Sequence, residues 1–168
     1  KEIQSKFIEL GLDTEDDLRD STIKISGCPN SCGQHEIATI GFYGGASRIE
    51  GTMTPTYTMM FGGRDGEEGM LGRTVMRVPA KRVISTIIKI IEIYRQERSA
   101  NESLTKWIGK LINGAVNENG EIKYVDDIKK ALMQTISLPS PDDDPESYMD
   151  YGNDIKFSAK TAKGECAA

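Results

Sequence analysis

The chain has 168 residues, enough for one domain with a real core, and its 38% apolar and 28% charged residues suit a soluble protein with long polar segments. A net charge of −5 argues against nucleic acid as a partner. No apolar run is long enough to span a bilayer, and the opening KEIQSKFIEL is amphipathic rather than the apolar centre of a signal peptide. The chain also opens without Met, so it reads as a piece of something longer.

Residues 1–11 are predicted to form a helix, with Ile3, Phe7, Ile8 and Leu10 on one face and Gly11 as its stop. Residues 12–21 read as an acidic linker. TIKIS, residues 22–26, alternates and is β-branched, so a strand is expected, ended by Gly27. A CPNSC turn follows, then one helical turn in SCGQHEI. Residues 37–43 and 56–61 read as two further strands, ending at Gly44-Gly45 and at Gly62-Gly63. A glycine-rich loop leads to a short strand over 73–78 before Pro79.

The strongest helix follows, covering 80–98. Val83, Ile84, Ile87, Ile88, Ile90, Ile91 and Tyr94 share a wide apolar face, and Pro79 suits the first turn. A helix over 101–113 carries Leu104, Trp107, Ile108, Leu111 and Ile112, capped by Asn101 or Ser103, and a last amphipathic helix spans 125–136. From 137 on, three of the six prolines and an acidic run leave little to bury. Residues 137–168 therefore read as a flexible acidic tail, ordered where Tyr148, Tyr151 and Phe157 dock, with 1–136 as the folded unit. The pattern predicts an α+β fold: a mixed or antiparallel sheet of three to five strands, with helices packed on one face.

The cysteines are Cys28, Cys32 and Cys166. An odd, small number argues against a disulfide framework and for a reducing compartment, so a cytoplasmic location is expected. Four readings compete for Cys28 and Cys32. They are packed thiols without chemistry, or a redox pair, though such pairs usually have two residues between the cysteines. They are zinc ligands, completed by His35 and Cys166, or half of an iron–sulfur site, whose cysteines sit in tight loops shaped by Pro and Gly.

ISGCPNSCGQHEIATIGFYGG resembles the signature of the sirohaem-dependent sulfite and nitrite reductases. The matching positions are Gly27, Cys28, Pro29, Asn30, Cys32 and Gly33, then Ala38, Ile40, Gly41 and Gly44, with a later strand ending Phe61-Gly62-Gly63. The resemblance runs from about residue 1 to about residue 135. It implies a [4Fe–4S] cluster held by two cysteine pairs, with Cys28 as a ligand and Cys32 as the ligand that also bridges to sirohaem. It implies six-electron reduction of sulfite to sulfide, the first choice here, or of nitrite to ammonia. The implied partners are the rest of the reductase chain, a ferredoxin or flavoprotein electron donor and a small anionic substrate.

The first cysteine pair and the basic residues that grip the anion are not in this sequence. It then reads as the C-terminal part of a reductase subunit, inactive alone and holding no complete cluster. Asn30 is expected to brace the turn or reach a cluster sulfur. His35 is a candidate proton carrier, the simpler reading being a surface or capping histidine. Arg64 is a candidate for a sirohaem carboxylate or the anion, against a solvated loop arginine. Met53, Met59, Met60, Met70 and Met76 read as filler, and Cys166 as an incidental or mobile thiol. The readings from other classes are a partner-docking scaffold derived from the reductase fold, or a dithiol or zinc module.

Overall fold

The computed structural model describes residues 2–12, 16–67, 69–114, 125–150 and 155–158. Helix α1 (Glu2–Glu9) precedes four strands, β1 (Ile23–Ser26), β2 (Ile40–Ile49), β3 (Thr52–Phe61) and β4 (Arg73–Pro79). Helices α2 (Val83–Glu97), α3 (Leu104–Asn113) and α4 (Val125–Ile136) follow. The strands form one sheet in the order β1-β2-β3-β4. β1 runs parallel to β2, and the other two pairs are antiparallel. The sheet is therefore mixed and the fold α+β, as the pattern predicts. No helix among the described residues is long and apolar enough to cross a membrane.

Cross-strand register sets the faces. Ile40 pairs with Phe61 and Phe42 with Met59, and all four side chains are fully buried. They meet Ile87, Ile90 and Ile91 of α2, Leu104, Ile108 and Leu111 of α3, and Ile128 and Leu132 of α4 in one core. The opposite face carries the polar row Tyr43, Thr58 and Arg77, paired across β2, β3 and β4. One face is thus apolar and helix-covered, and the other reads polar, as alternation in a half-covered sheet requires.

Two strands are longer than the sequence pattern suggests. β2 does not end at Gly44-Gly45, because both glycines stay in the ladder opposite Tyr57 and Thr56. β3 begins at Thr52 and contains Pro55, which lies outside the stretch that pairs with β4, so no ladder hydrogen bond is lost on that side. Glu50 and Gly51 join the two strands with φ of 47° and 75°, the left-handed pair that a tight two-residue hairpin turn needs. The α1 face is also corrected. Phe7 packs on the core, whereas Ile8 and Leu10 are exposed.

The segment read as a linker is tied down. Leu12 is buried, and Asp17, on a short 3₁₀ turn, pairs with Arg98 at 2.9 Å and lies 3.7 Å from Arg95 of α2. Tyr94 is fully buried, packs edge-on against Trp107, and donates its hydroxyl to the carbonyl of Glu102. Ser103 caps α3 by accepting from the Lys106 amide. Beyond α4, Tyr148 is 2% exposed and its hydroxyl donates to the Pro139 carbonyl at 2.7 Å, while Phe157 is half-buried. Tyr151 and Cys166 lie outside the described residues.

Burial raises the phenol pKa of Tyr94, Tyr148 and Tyr57 above the ordinary 10.0; Arg98 opposes it at Tyr94, where Asp17 and Asp20 add to it, as do Glu50 and Asp144 at Tyr148 and Asp150 at Tyr57. A group whose pKa is raised on folding binds its proton more tightly in the native state. Its contribution is complete below the unfolded pKa and is lost as pH climbs through the folded value. The denaturation midpoint should therefore hold up to about pH 10 and fall steeply above it. Tyr94→Phe should flatten that fall, and pH-resolved urea melts check both points.

Candidate functional site

Parallel pairing of β1 with β2 dictates where the cysteines lie. Ile23 pairs with Ile40 and Ser26 with Tyr43, so the chain leaving Ser26 must travel back before β2 can start. Residues 27–39 make that return without an α-helix, and the CPNSC turn is part of it. Cys28 is half-buried and Cys32 is exposed, and both are free thiols. Ser31 and Gln34 adopt left-handed φ of 57° and 56°. The Gln34 amide closes the turn on the Ser31 carbonyl at 2.7 Å, and Lys24 of β1 donates to the Gln34 side chain at 3.0 Å.

Absent side chains press this return segment onto the sheet. A Cβ on Gly41 would sit 2.0 Å from the His35 carbonyl oxygen, and one on Gly33 would sit 2.4 Å from that of Ile25. A Cβ on Gly44 would meet the Gly27 oxygen at 2.3 Å, and one on Gly63 the Glu36 oxygen at 2.3 Å. Each close approach is to backbone, which a rotamer change cannot relieve. The Gly72 amide also donates to the Glu36 carbonyl at 2.7 Å, so the glycine-rich loop after β3 is docked on the same segment.

The start of β2 is fixed from the helix side. Thr22 and Thr39 exchange backbone-to-hydroxyl hydrogen bonds at 3.1 and 3.2 Å. The Thr39 hydroxyl lies 3.2 Å from that of Thr105 on α3, which donates to the Asp20 carbonyl at 3.1 Å.

His35 departs most from expectation. It is neither a surface histidine nor a cap, being 1% exposed within a 3₁₀ turn spanning His35–Ile37. Its Nδ1 lies 2.8 Å from the Ser26 hydroxyl, and its ring packs at 4.9 Å, tilted, against Tyr43. Ser26 and Tyr43 were not legible as site residues. Both stand on the same sheet face as Gly41, but only the parallel register shows it. Asn30 is exposed in the turn. Arg64 is exposed and its backbone bridges to Met70, placing it in the docked loop rather than in the turn itself. Met59 is in the core, Met53, Met60 and Met76 are half-buried, and Met70 is exposed.

The donor set decides which group the turn fits. Among the described residues no cluster of three or more His, Cys, Asp and Glu side chains is placed to hold a metal ion. His35 is buried beneath the turn and no third donor stands with the two thiols among the described residues, so these side chains do not make a zinc site. Two accessible thiols on a turn whose backbone is held at several points fit half of a four-thiolate iron–sulfur site.

The model of the nitrite and sulphite reductase 4Fe-4S domain matches residues 19–113, a span that holds the whole sheet, α2, α3 and the two cysteines of the turn. The assimilatory ferredoxin-dependent nitrite reductase of Haloferax mediterranei is 28% identical over 104 residues, covering 61% of this chain and 18% of the relative. The ferredoxin–nitrite reductase of Synechococcus elongatus is 35% identical over 89 residues, 52% of this chain and 17% of the relative. Sulfite reductase [ferredoxin] 1 of Mycolicibacterium paratuberculosis is 28% identical over 89 residues, 51% of this chain and 16% of the relative. Among solved structures, the NirA protein of Mycobacterium tuberculosis superposes with a TM-score of 0.57 at 25% identity, covering 64% of this chain and 20% of that one. The chain thus spans less than a fifth of the length of these three curated relatives. With the mixed sheet, the cysteine return segment and the family model all falling on the same residues, this chain belongs to the nitrite and sulphite reductase 4Fe-4S domain family.

Proposed function

We propose that this chain is the part of a sirohaem- and [4Fe–4S]-dependent reductase that supplies the later pair of cluster cysteines. The whole protein then carries out the six-electron reduction of nitrite to ammonia or of sulfite to sulfide, with ferredoxin as electron donor. The ferredoxin assignment draws on the relatives, several of which carry that donor in their names. The observation that carries the reading is the CPNSC turn. It stands at the end of a rigid strand, with its thiols accessible and its backbone held by close packing at glycines.

When bound, the cluster relays single electrons and sirohaem holds the anion at its iron. The chain's own contribution is positional. Cys28 and Cys32 would hold the cluster, and Cys32 would be the thiolate shared with sirohaem. Gly33, Gly41 and Gly44 keep the return segment against β1 and β2, so the two sulfurs are presented from a surface that does not give way. Asn30 braces the turn between the two cysteines. Two thiolates are half of what a cluster needs, so the chain alone holds no complete cluster and is inactive.

The test is made on the full-length protein. Its anaerobic visible spectrum should show sirohaem bands, and titration with nitrite and with sulfite should shift them, the anion that shifts them at the lower concentration being the substrate. A colourless, iron-free protein would overturn the reading and leave a scaffold that keeps the reductase fold without its chemistry.

A further inference from the structure

Beneath the cysteine turn lies a buried polar pair that the proposed chemistry does not use. Ser26 ends β1 and is 4% exposed. Its hydroxyl oxygen accepts the Gly33 amide at 3.0 Å and lies 2.8 Å from Nδ1 of His35. His35 is held in turn by the Tyr43 ring at 4.9 Å. A short chain of contacts therefore runs from the middle of the sheet, through His35 and Ser26, to the amide of the residue directly after Cys32.

The chemistry of that amide matters. Backbone N–H groups beside a cluster cysteine are its nearest hydrogen-bond donors, and donation to a thiolate sulfur stabilises the more negative, reduced cluster. Here the Gly33 amide is committed to Ser26. A serine hydroxyl has one proton and two lone pairs. It can accept from Gly33 and still bond His35 in either tautomer, so the histidine fixes the hydroxyl in place whichever ring nitrogen carries the proton. Burial of both side chains makes the arrangement costly to break, because each would lose its polar partner without gaining water.

We propose that Ser26 and His35 are positioning residues for Cys32. They anchor the Cys28–Gly33 turn on β1 and withhold the Gly33 amide from the cluster sulfur, keeping the reduction potential lower than a free amide would. The proposal rests on the cluster reading above, and its test separates the two.

In the full-length protein, Ser26→Ala should speed hydrogen exchange at the Gly33 amide by about tenfold. It should also raise the cluster midpoint in a spectroscopic redox titration by about tenfold in the reduction equilibrium, or about 59 mV for one electron. Ser26→Thr keeps the hydroxyl and should match wild type in both. His35→Leu should follow Ser26→Ala. His35→Asn, which puts a polar atom where Nδ1 stands, should recover most of the difference, a rescue that a purely space-filling histidine would not show. Unchanged exchange at Gly33 in Ser26→Ala, or an equal midpoint shift in Ser26→Thr, would overturn the proposal. A wild-type protein without a cluster would instead sink the reductase reading, and amide exchange, which needs no cluster, would still decide the role of the pair.

Discussion

On the proposed function, a Cys32→Ser variant of the full-length protein should lose its sirohaem and cluster absorption together and retain no measurable nitrite or sulfite reduction. Serine is a poor ligand for cluster iron, and on the proposed reading this one sulfur serves both cofactors, so no second thiolate takes its place. Cys28→Ser should cost the cluster too, but it removes a ligand with no share in the bridge. Because Cys32 is exposed, the same substitution in the present chain should move stability by no more than about 0.5 kcal/mol. Visible spectra and activity of the long protein, set beside urea melts of this chain, check both halves. Retained absorption in Cys32→Ser would show that the ligands lie elsewhere.

Gly41→Ala produces the second large effect, and it works through the backbone. The new methyl would lie 2.0 Å from the His35 carbonyl oxygen, well inside contact distance, with main chain on both sides. β2 must move away from the return segment, or that segment must lift off β2. Either displaces the turn from its frame, at a cost of about 3 kcal/mol or more. Gly45→Ala, four residues along the same strand, is the control, since nothing lies within 4 Å of the position its Cβ would take. Urea melts of the two variants should differ by most of that amount. In the full-length protein, Gly41→Ala should lower cluster content while Gly45→Ala leaves it unchanged. Equal melts would show that the close packing is not what holds the segment.

Much of this was readable from the residues in order. The alternation in TIKIS, the apolar face of the 80–98 helix and the apolar set around Trp107 each placed an element correctly, because each signal is local. The acidic run after residue 137 suggested a tail with little to bury. Tyr148 is an expected docking point of that tail and is buried, its site closed by a hydrogen bond to Pro139 that the sequence pattern does not name.

The sequence by itself determined the element order, the α+β class and the identity of the two thiols. Hydrophobic period, turn residues and the C-P-N-x-C spacing are properties of neighbours along the chain. Only the tertiary structure decided that β1 and β2 run parallel, and three consequences follow from that single fact. The cysteine turn becomes part of a return segment that carries the chain from the end of β1 back to the start of β2. Gly41 becomes a site of close backbone contact with His35. His35 moves from an expected surface position to a buried contact with Ser26 and Tyr43. Strand direction is set by long-range pairing and by burial against α2 and α3, both of which depend on residues far apart in sequence. No local pattern encodes it.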